Sequence, residues 1–185
     1  MSYIDIMDKI LDSHDVTVGG GSSSAIAGAI AAGLIGMVAR LSTKKDYGLP
    51  KERYLEIADE LDKLSKELLE GSEEDTKAYM MIKDAFRLPI STDNEKKEKA
   101  AAIEKAGVAA AIVPKDNAYI CKRVYELGLM MEEKYNANAS SDFIIGMNLA
   151  KIGINGCVLN IEANLPLIKD EKVKKQFENH IKKLK

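Results

Sequence analysis

Asp75 stands where a helical seam calls for an apolar side chain. Tyr54, Ile57, Leu61, Leu64 and Leu68 step by three and four residues, the spacing of one helix face, and the stepping continues to Asp75, Tyr79, Ile82 and Phe86. A carboxylate on such a face is partly desolvated. Its pKa moves upward, which suits a general acid or base. The same residues also allow a structural reading, in which Asp75 caps a new helix start after Gly71 or faces water through a slip of register. A second feature is the run Gly19-Gly20-Gly21, which enters Ser22-Ser23-Ser24 and a segment with no charged side chain from Val16 to Ala39. Three glycines interrupt regular structure and let backbone approach a ligand closely. Ser22 can then cap a helix whose free N–H groups attract an anion. A third is the pair Asn160 and Asn164, four apart and therefore on one helix face. Their amides can bind a polar heterocycle or satisfy loop backbone.

Other polar residues have simpler roles at hand. Asn136, Asn138, Ser140, Ser141 and Asp142 gather before a helix, where such side chains usually cap and turn. Lys44 and Lys45 follow an apolar helix, where its dipole favours cations. His14 and His180 are too far apart in sequence to suggest the three or four converging ligands of a metal site, and none is expected. The glycines lack the Gly-Lys-Ser/Thr of a phosphate-binding loop, and no Ser-His-Asp order stands out. Cys121 and Cys157 lack Cys-x-x-Cys spacing and read as buried or free thiols of a reducing compartment.

The elements that must position these residues are helical. The 185 residues fit one domain, 1–185, and carry 27 basic against 29 acidic side chains, which gives no reason to expect nucleic acid as partner. Aromatics are 5% and Trp is absent, and Ala, Leu, Ile, Lys and Glu favour helix. Apolar spacing predicts a short helix over Ser2–Asp12 and a small-residue helix from about Ser22 to Leu41. A long helix follows Pro50 and ends at Leu88-Pro89, with Gly71 able to bend it. Thr92 and Glu95 form a capping box that opens an Ala-rich helix, which Pro114 should kink or divide. A further helix covers about Ser141–Ala163, and a basic amphipathic one closes the chain. No alternating run long enough for a strand is present. The expectation is an all-α, single-domain antiparallel bundle of roughly six or seven helices. The start Met1-Ser2-Tyr3-Ile4-Asp5 does not read as a signal peptide. In Ser22–Ala39, 12 of 18 residues are Gly, Ala or Ser, so a central buried helix is expected rather than a membrane span.

Taken in order, these segments resemble the cyclodeaminase family of folate one-carbon enzymes. That family includes the C-terminal domain of formiminotransferase-cyclodeaminase and stand-alone methenyltetrahydrofolate cyclohydrolases. The family's Pro-Thr-Pro-Gly-Gly-Gly-Ser is similar to Val16-Thr17-Val18-Gly19-Gly20-Gly21-Ser22. Its Thr-x-Gly-Lys-Lys-x-Tyr-like segment is similar to Ser42-Thr43-Lys44-Lys45-Asp46-Tyr47. An Asp followed by an aromatic corresponds to Asp75 and Tyr79, followed by Arg87-Leu88-Pro89. Asn-x-x-x-x-Ser-Asp corresponds to Asn136–Asp142, and Asn-Val-x-x-Asn-Leu to Asn160–Leu165. The chain departs from the pattern in the two valines that replace prolines, and in Ala139, where some bifunctional members carry cysteine.

The resemblance implies an all-helical homodimer of the cytoplasm, with a folate pocket near the glycines. It implies conversion of 5-formiminotetrahydrofolate to 5,10-methenyltetrahydrofolate and ammonia, with methenyltetrahydrofolate cyclohydrolase as the alternative and a non-catalytic helical dimer as the reading from another class. A tetrahydrofolate derivative is then the substrate, with no permanently bound cofactor, and a separate formiminotransferase is a possible partner. Asp75 becomes the expected main proton-transfer residue, with Asp142 second. Gly19, Gly20, Gly21 and Ser22 would shape the pocket, Lys44 or Lys45 would meet the glutamate carboxylates, and Asn160 would contact the pterin. Tyr79, Asn136 and Asn164 complete the expected binding set.

Overall fold

The computed structural model describes residues 3–185, so Ser2, where the sequence reading starts the first helix, lies outside the described residues. Six α-helices follow one another: α1 (Tyr3–Leu11), α2 (Gly20–Leu41), α3 (Lys51–Arg87), α4 (Asp93–Leu129), α5 (Ser140–Asn164) and α6 (Glu171–Leu184). Short 3-10 turns lie at 42–44, 137–139 and 165–167, and there is no strand among the described residues. The all-α expectation holds.

Helices α2 to α5 alternate in direction around one core. Gly36 faces Leu61 of α3, Gly28 faces Leu68, and Ser22 bonds Ser72 and Thr76, so α3 runs antiparallel to α2. On the other flank of α2, Gly146 of α5 packs on Leu34 and Ile35, and Gly153 on Ser24 and Gly28. At the centre, Cys121 of α4 places its sulfur against both Gly28 and Gly153. Helix α2 is thus enclosed on three sides, and its small residues set how closely the others approach. Fully buried Ile35, Ile57, Leu61, Leu68 and Leu127 fill the remaining space. Each such side chain contributes about 1.5–3 kcal/mol of burial.

Three expectations need correction. The glycine run does not stay irregular: Gly19 is the helix cap, and Gly20 and Gly21 already belong to the first turn of α2. Gly71 does not interrupt α3, because its missing Cβ makes room for the Asn117 side chain, which donates from Nδ2 to the Gly71 carbonyl at 3.3 Å. Pro114 does not divide α4, which runs unbroken for 37 residues. Proline lacks the N–H that the Ala110 carbonyl would receive. Asn164 of α5 supplies the substitute donor from Nδ2 at 3.0 Å. The capping box of Thr92 and Glu95 forms as expected.

Cys121 and Cys157 are both free and buried. A hydrogen bond with Cys121 that favours the protonated form, together with burial, pushes the Cys157 thiol well above its ordinary range, so it stays a thiol.

Gly28→Ala is expected to destabilise the fold by about 1–3 kcal/mol, because the new methyl would overlap the Cys121 sulfur. Adding Cys121→Ala should recover part of that loss. Urea unfolding of the two single variants and the double variant checks the coupling.

Candidate active site

Asp75 lies on α3 one turn beyond Ser72, with Thr76 beside it, on the face turned toward α2. Its carboxylate meets the first turn of α2. The Ser22 hydroxyl donates to Asp75 Oδ2 at 3.0 Å, and the Ser22 backbone N–H donates to the same carboxylate. Gly21 makes this possible: any Cβ there would coincide with the carboxylate oxygens. Asp75, and not Ser22, is therefore what answers the open N–H groups of this helix end. The Ser22 hydroxyl is also within 3.0 Å of the Ser72 carbonyl and 3.2 Å of Thr76 Oγ1, which holds the group in place.

Burial pushes the Asp75 carboxyl above its ordinary value of 3.8, and the Ser22 hydrogen bonds pull part of the way back. The result is a carboxylate more basic than a solvated one, still oriented by two donors.

A cavity of about 280 Å³ opens in front of it. Gly19, Gly20 and Gly21 form one wall, Asp75, Tyr79 and Ile82 of α3 a second, and Asn160, Ala163 and Asn164 of α5 a third. Val16, Thr17 and Ala110 close the lining. Asn160 donates its amide to the Gly156 carbonyl at 2.8 Å. Asn164 donates to Ala110 and to the Asn160 carbonyl. Asn164 thus spends both N–H groups on backbone and Asn160 one of its two, and each leaves Oδ1 as an acceptor for a ligand's donors. The pocket combines one basic carboxylate with two acceptor amides and apolar walls. No group of His, Cys, Asp and Glu able to hold a metal occurs among the described residues.

The structure brings together Gly19, Gly20, Gly21, Ser22, Asp75, Tyr79, Asn160 and Asn164. It does not bring in the rest. Lys44 and Lys45 line a shallow hollow with Pro50 and Lys51 beyond the other end of α2. Helix α2 alone spans 22 residues, or about 33 Å. Asn136 sits at that same far end, its N–H donating to Ser42 Oγ at 3.0 Å, and Asp142 lies in the first turn of α5 close by. Sequence reasoning missed Val16, Thr17, Ile82, Ala110 and Ala163 as site residues. Three of these had a signal: Asp15-Val16-Thr17 forms an Asx turn, with Thr17 N–H on Asp15 Oδ1 at 2.7 Å, and Ala110 stands four residues before Pro114.

A larger hollow of about 490 Å³ lies between α4 and α5. Stacked Tyr135 and Phe143 rings (centroids 4.1 Å apart) occupy its floor, and its charged groups are surface Glu132, Glu133 and Lys151. It lacks a buried reactive group.

The sequence profile of the family described as Formiminotransferase-cyclodeaminase matches residues 4–183. The methenyltetrahydrofolate cyclohydrolase of Methylorubrum extorquens is 33% identical over 165 residues, covering 83% of this chain and 74% of that protein. The formimidoyltransferase-cyclodeaminase of Gallus gallus is 26% identical over 177 residues, which are 95% of this chain and 33% of that longer protein. The crystal structure of formiminotetrahydrofolate cyclodeaminase from Thermotoga maritima superposes with a TM-score of 0.82 at 23% identity, covering 96% of this chain and 85% of that one. That last likeness establishes the shared fold.

Because the folded pKa of Asp75 is raised, this group stabilises the fold fully only below its ordinary value of 3.8, and that contribution is lost as pH rises through the raised value. Asp75→Asn, neutral throughout, is therefore expected to resist urea better than wild type at pH 7. The difference should shrink as the pH falls to about 4. Urea midpoints at the two pH values check the sign.

Proposed function

The chain belongs to the formiminotransferase-cyclodeaminase family, and we propose that it transforms the one-carbon bridge of a tetrahydrofolate, first of all as a methenyltetrahydrofolate cyclohydrolase. The observation that carries this choice is that Asp75 is the sole carboxyl group among the described residues lining the pocket. Hydrolysis of the methenyl bridge needs one base. Asp75 would take a proton from water as the oxygen attacks the electrophilic carbon between N5 and N10. The resulting tetrahedral carbon then loses its bond to N5, leaving a formyl group on N10. The raised pKa makes the carboxylate a stronger base, and the two Ser22 donors keep it aimed. A pterin edge presents an exocyclic amine and a ring N–H, which complement the Oδ1 acceptors of Asn160 and Asn164. The relative from Methylorubrum, matched over most of its length, bears this activity in its name.

Cyclodeamination is the second reading, and one feature of Asp75 favours it. A raised pKa leaves a larger share of the group protonated, and departing ammonia needs a proton from an acid. N10 would attack the formimino carbon and pass its proton to the formimino nitrogen, and Asp75 would add the further proton with which that nitrogen leaves as ammonia. Holding N10 against that carbon contributes the rest. Neither reaction requires a resident cofactor.

Purified protein is expected to accelerate the loss of the near-UV absorbance of 5,10-methenyltetrahydrofolate. Appearance of that absorbance from 5-formiminotetrahydrofolate, with ammonia released, would instead establish the second reading, and no effect on either compound would overturn both. Asp75→Asn is expected to lower kcat by about 10²–10⁴-fold while folate still raises the thermal stability of the variant.

A further inference from the structure

We infer that a lysine-lined hollow, on the side of α5 away from the candidate active site, binds a phosphate-bearing anion with at least the charge of a diphosphate. The chain as a whole stands at a net charge of −2, yet its charges are not spread evenly. Residues 171–185 carry six lysines against two glutamates, a balance of +4, so residues 1–170 stand at −6. Segregation of this kind bears on what a surface attracts and not on how the chain folds.

Two further lysines from the bundle meet the end of this segment. Lys122 of α4 and Lys151 of α5 join Lys183 and Lys185 around a hollow of about 360 Å³, and no aspartate or glutamate lines it. Tyr125 and Asn155 add a ring and an amide, and the buried Ile154 and Leu184 make its floor. The volume falls within the range of small-molecule sites.

Three of the four ammonium groups are held in place. Lys122 Nζ donates to the Lys183 carbonyl at 2.7 Å, and Lys185 Nζ donates to Glu162 Oε1 at 2.7 Å. Lys151 Nζ lies 5.2 Å from the centroid of the Tyr125 ring. An ammonium has three donors, so each of these keeps N–H groups for a ligand. A carbonyl and a ring orient a cation without cancelling its charge. Lys122, Lys151 and Lys183 enter no ion pair among the described residues, and Glu162 answers Lys185 alone. Like charges gathered at one hollow repel, and a bound anion relieves that repulsion. A diphosphate concentrates several charges in one small group, and lysine meets phosphate as a point charge.

Position separates this hollow from the pocket of Asp75. At 3.6 residues per turn, Asn155 lies about 140° around α5 from Asn160, and Lys151 about 180°. Gly153 packs α5 on α2 and on Cys121 of α4 between the two sides. A ligand seated between Asp75 and Asn160 would have to pass through α5 to reach the lysines.

Inorganic pyrophosphate is the probe. Titration calorimetry in about 0.15 M salt is expected to show a single saturable site, with inorganic phosphate about tenfold weaker or more. Amide resonances of Lys151–Asn155 and Lys183–Lys185 should shift on binding, and those of Gly19–Ser22 and Asn160 should not. Lys151→Gln with Lys183→Gln should weaken pyrophosphate about tenfold or more at unchanged helix content, since both side chains are exposed. Asn155→Asp sets a carboxylate in the hollow and should weaken it too, so the site is still tested if the double variant misfolds. Lys172→Gln with Lys175→Gln, near the other end of α6, should leave affinity unaltered. Binding that does not saturate, that falls equally with either lysine pair, or that shifts Gly19–Ser22 and Asn160 instead would overturn the site. No folate takes part in these measurements, so their outcome is independent of both folate reactions.

Discussion

The structure depends on how closely three helices approach α2. Where that helix carries glycine, its neighbours send in atoms that any side chain would exclude. The Asp75 carboxylate occupies the space above Gly21, and the Cys121 sulfur the space above Gly28. From α5, Gly153 completes the same central contact by letting its backbone come up to Ser24 and Gly28. Packing at this density leaves little freedom for one helix to shift without the others. The position of the reactive carboxylate is therefore set by the core and not by a mobile loop.

This closeness also explains the chemistry of Asp75. A carboxylate in an apolar seam would be driven to its neutral form by burial alone. Here the first turn of α2 meets it with the N–H and hydroxyl of Ser22, so the charged form is retained at moderate cost. Burial and hydrogen bonding act in opposite directions on one group, and burial prevails. A residue in that balance can hold or release a proton at little expense, as acid–base chemistry on a one-carbon bridge demands.

The wall opposite Asp75 follows from a separate necessity. Pro114 leaves the Ala110 carbonyl without its helical donor, and Asn164 reaches across from α5 to supply one. That bond fixes the end of α5 against α4 and, through the Asn160 carbonyl, the orientation of both asparagines. A proline that appears in sequence as a helix breaker therefore works as an anchor for the pocket. The two asparagine readings, ligand contact and backbone satisfaction, are compatible because each amide has a donor end and an acceptor end.

Helical periodicity made the architecture legible from sequence: the seam from Tyr54 to Leu68, the Thr92–Glu95 cap and the absence of alternating runs identify an all-α bundle because these signals are local, whereas Tyr79 and Phe86, placed on the same seam by spacing, are 41% and 50% exposed. The same periodicity isolated Asp75, since a charge on an apolar seam is visible without coordinates. Local reasoning could not show that Gly20 and Gly21 enter the helix, that α4 survives Pro114, or that Cys121 and Cys157 meet. Each of these depends on an atom contributed by a distant segment. Nor could motif order reveal that the glycine loop, Asp75 and Asn160 gather at one end of α2 while Lys44, Lys45, Asn136 and Asp142 gather at the other. Sequence order carries no distance across a bundle, and the length of α2 decides that separation.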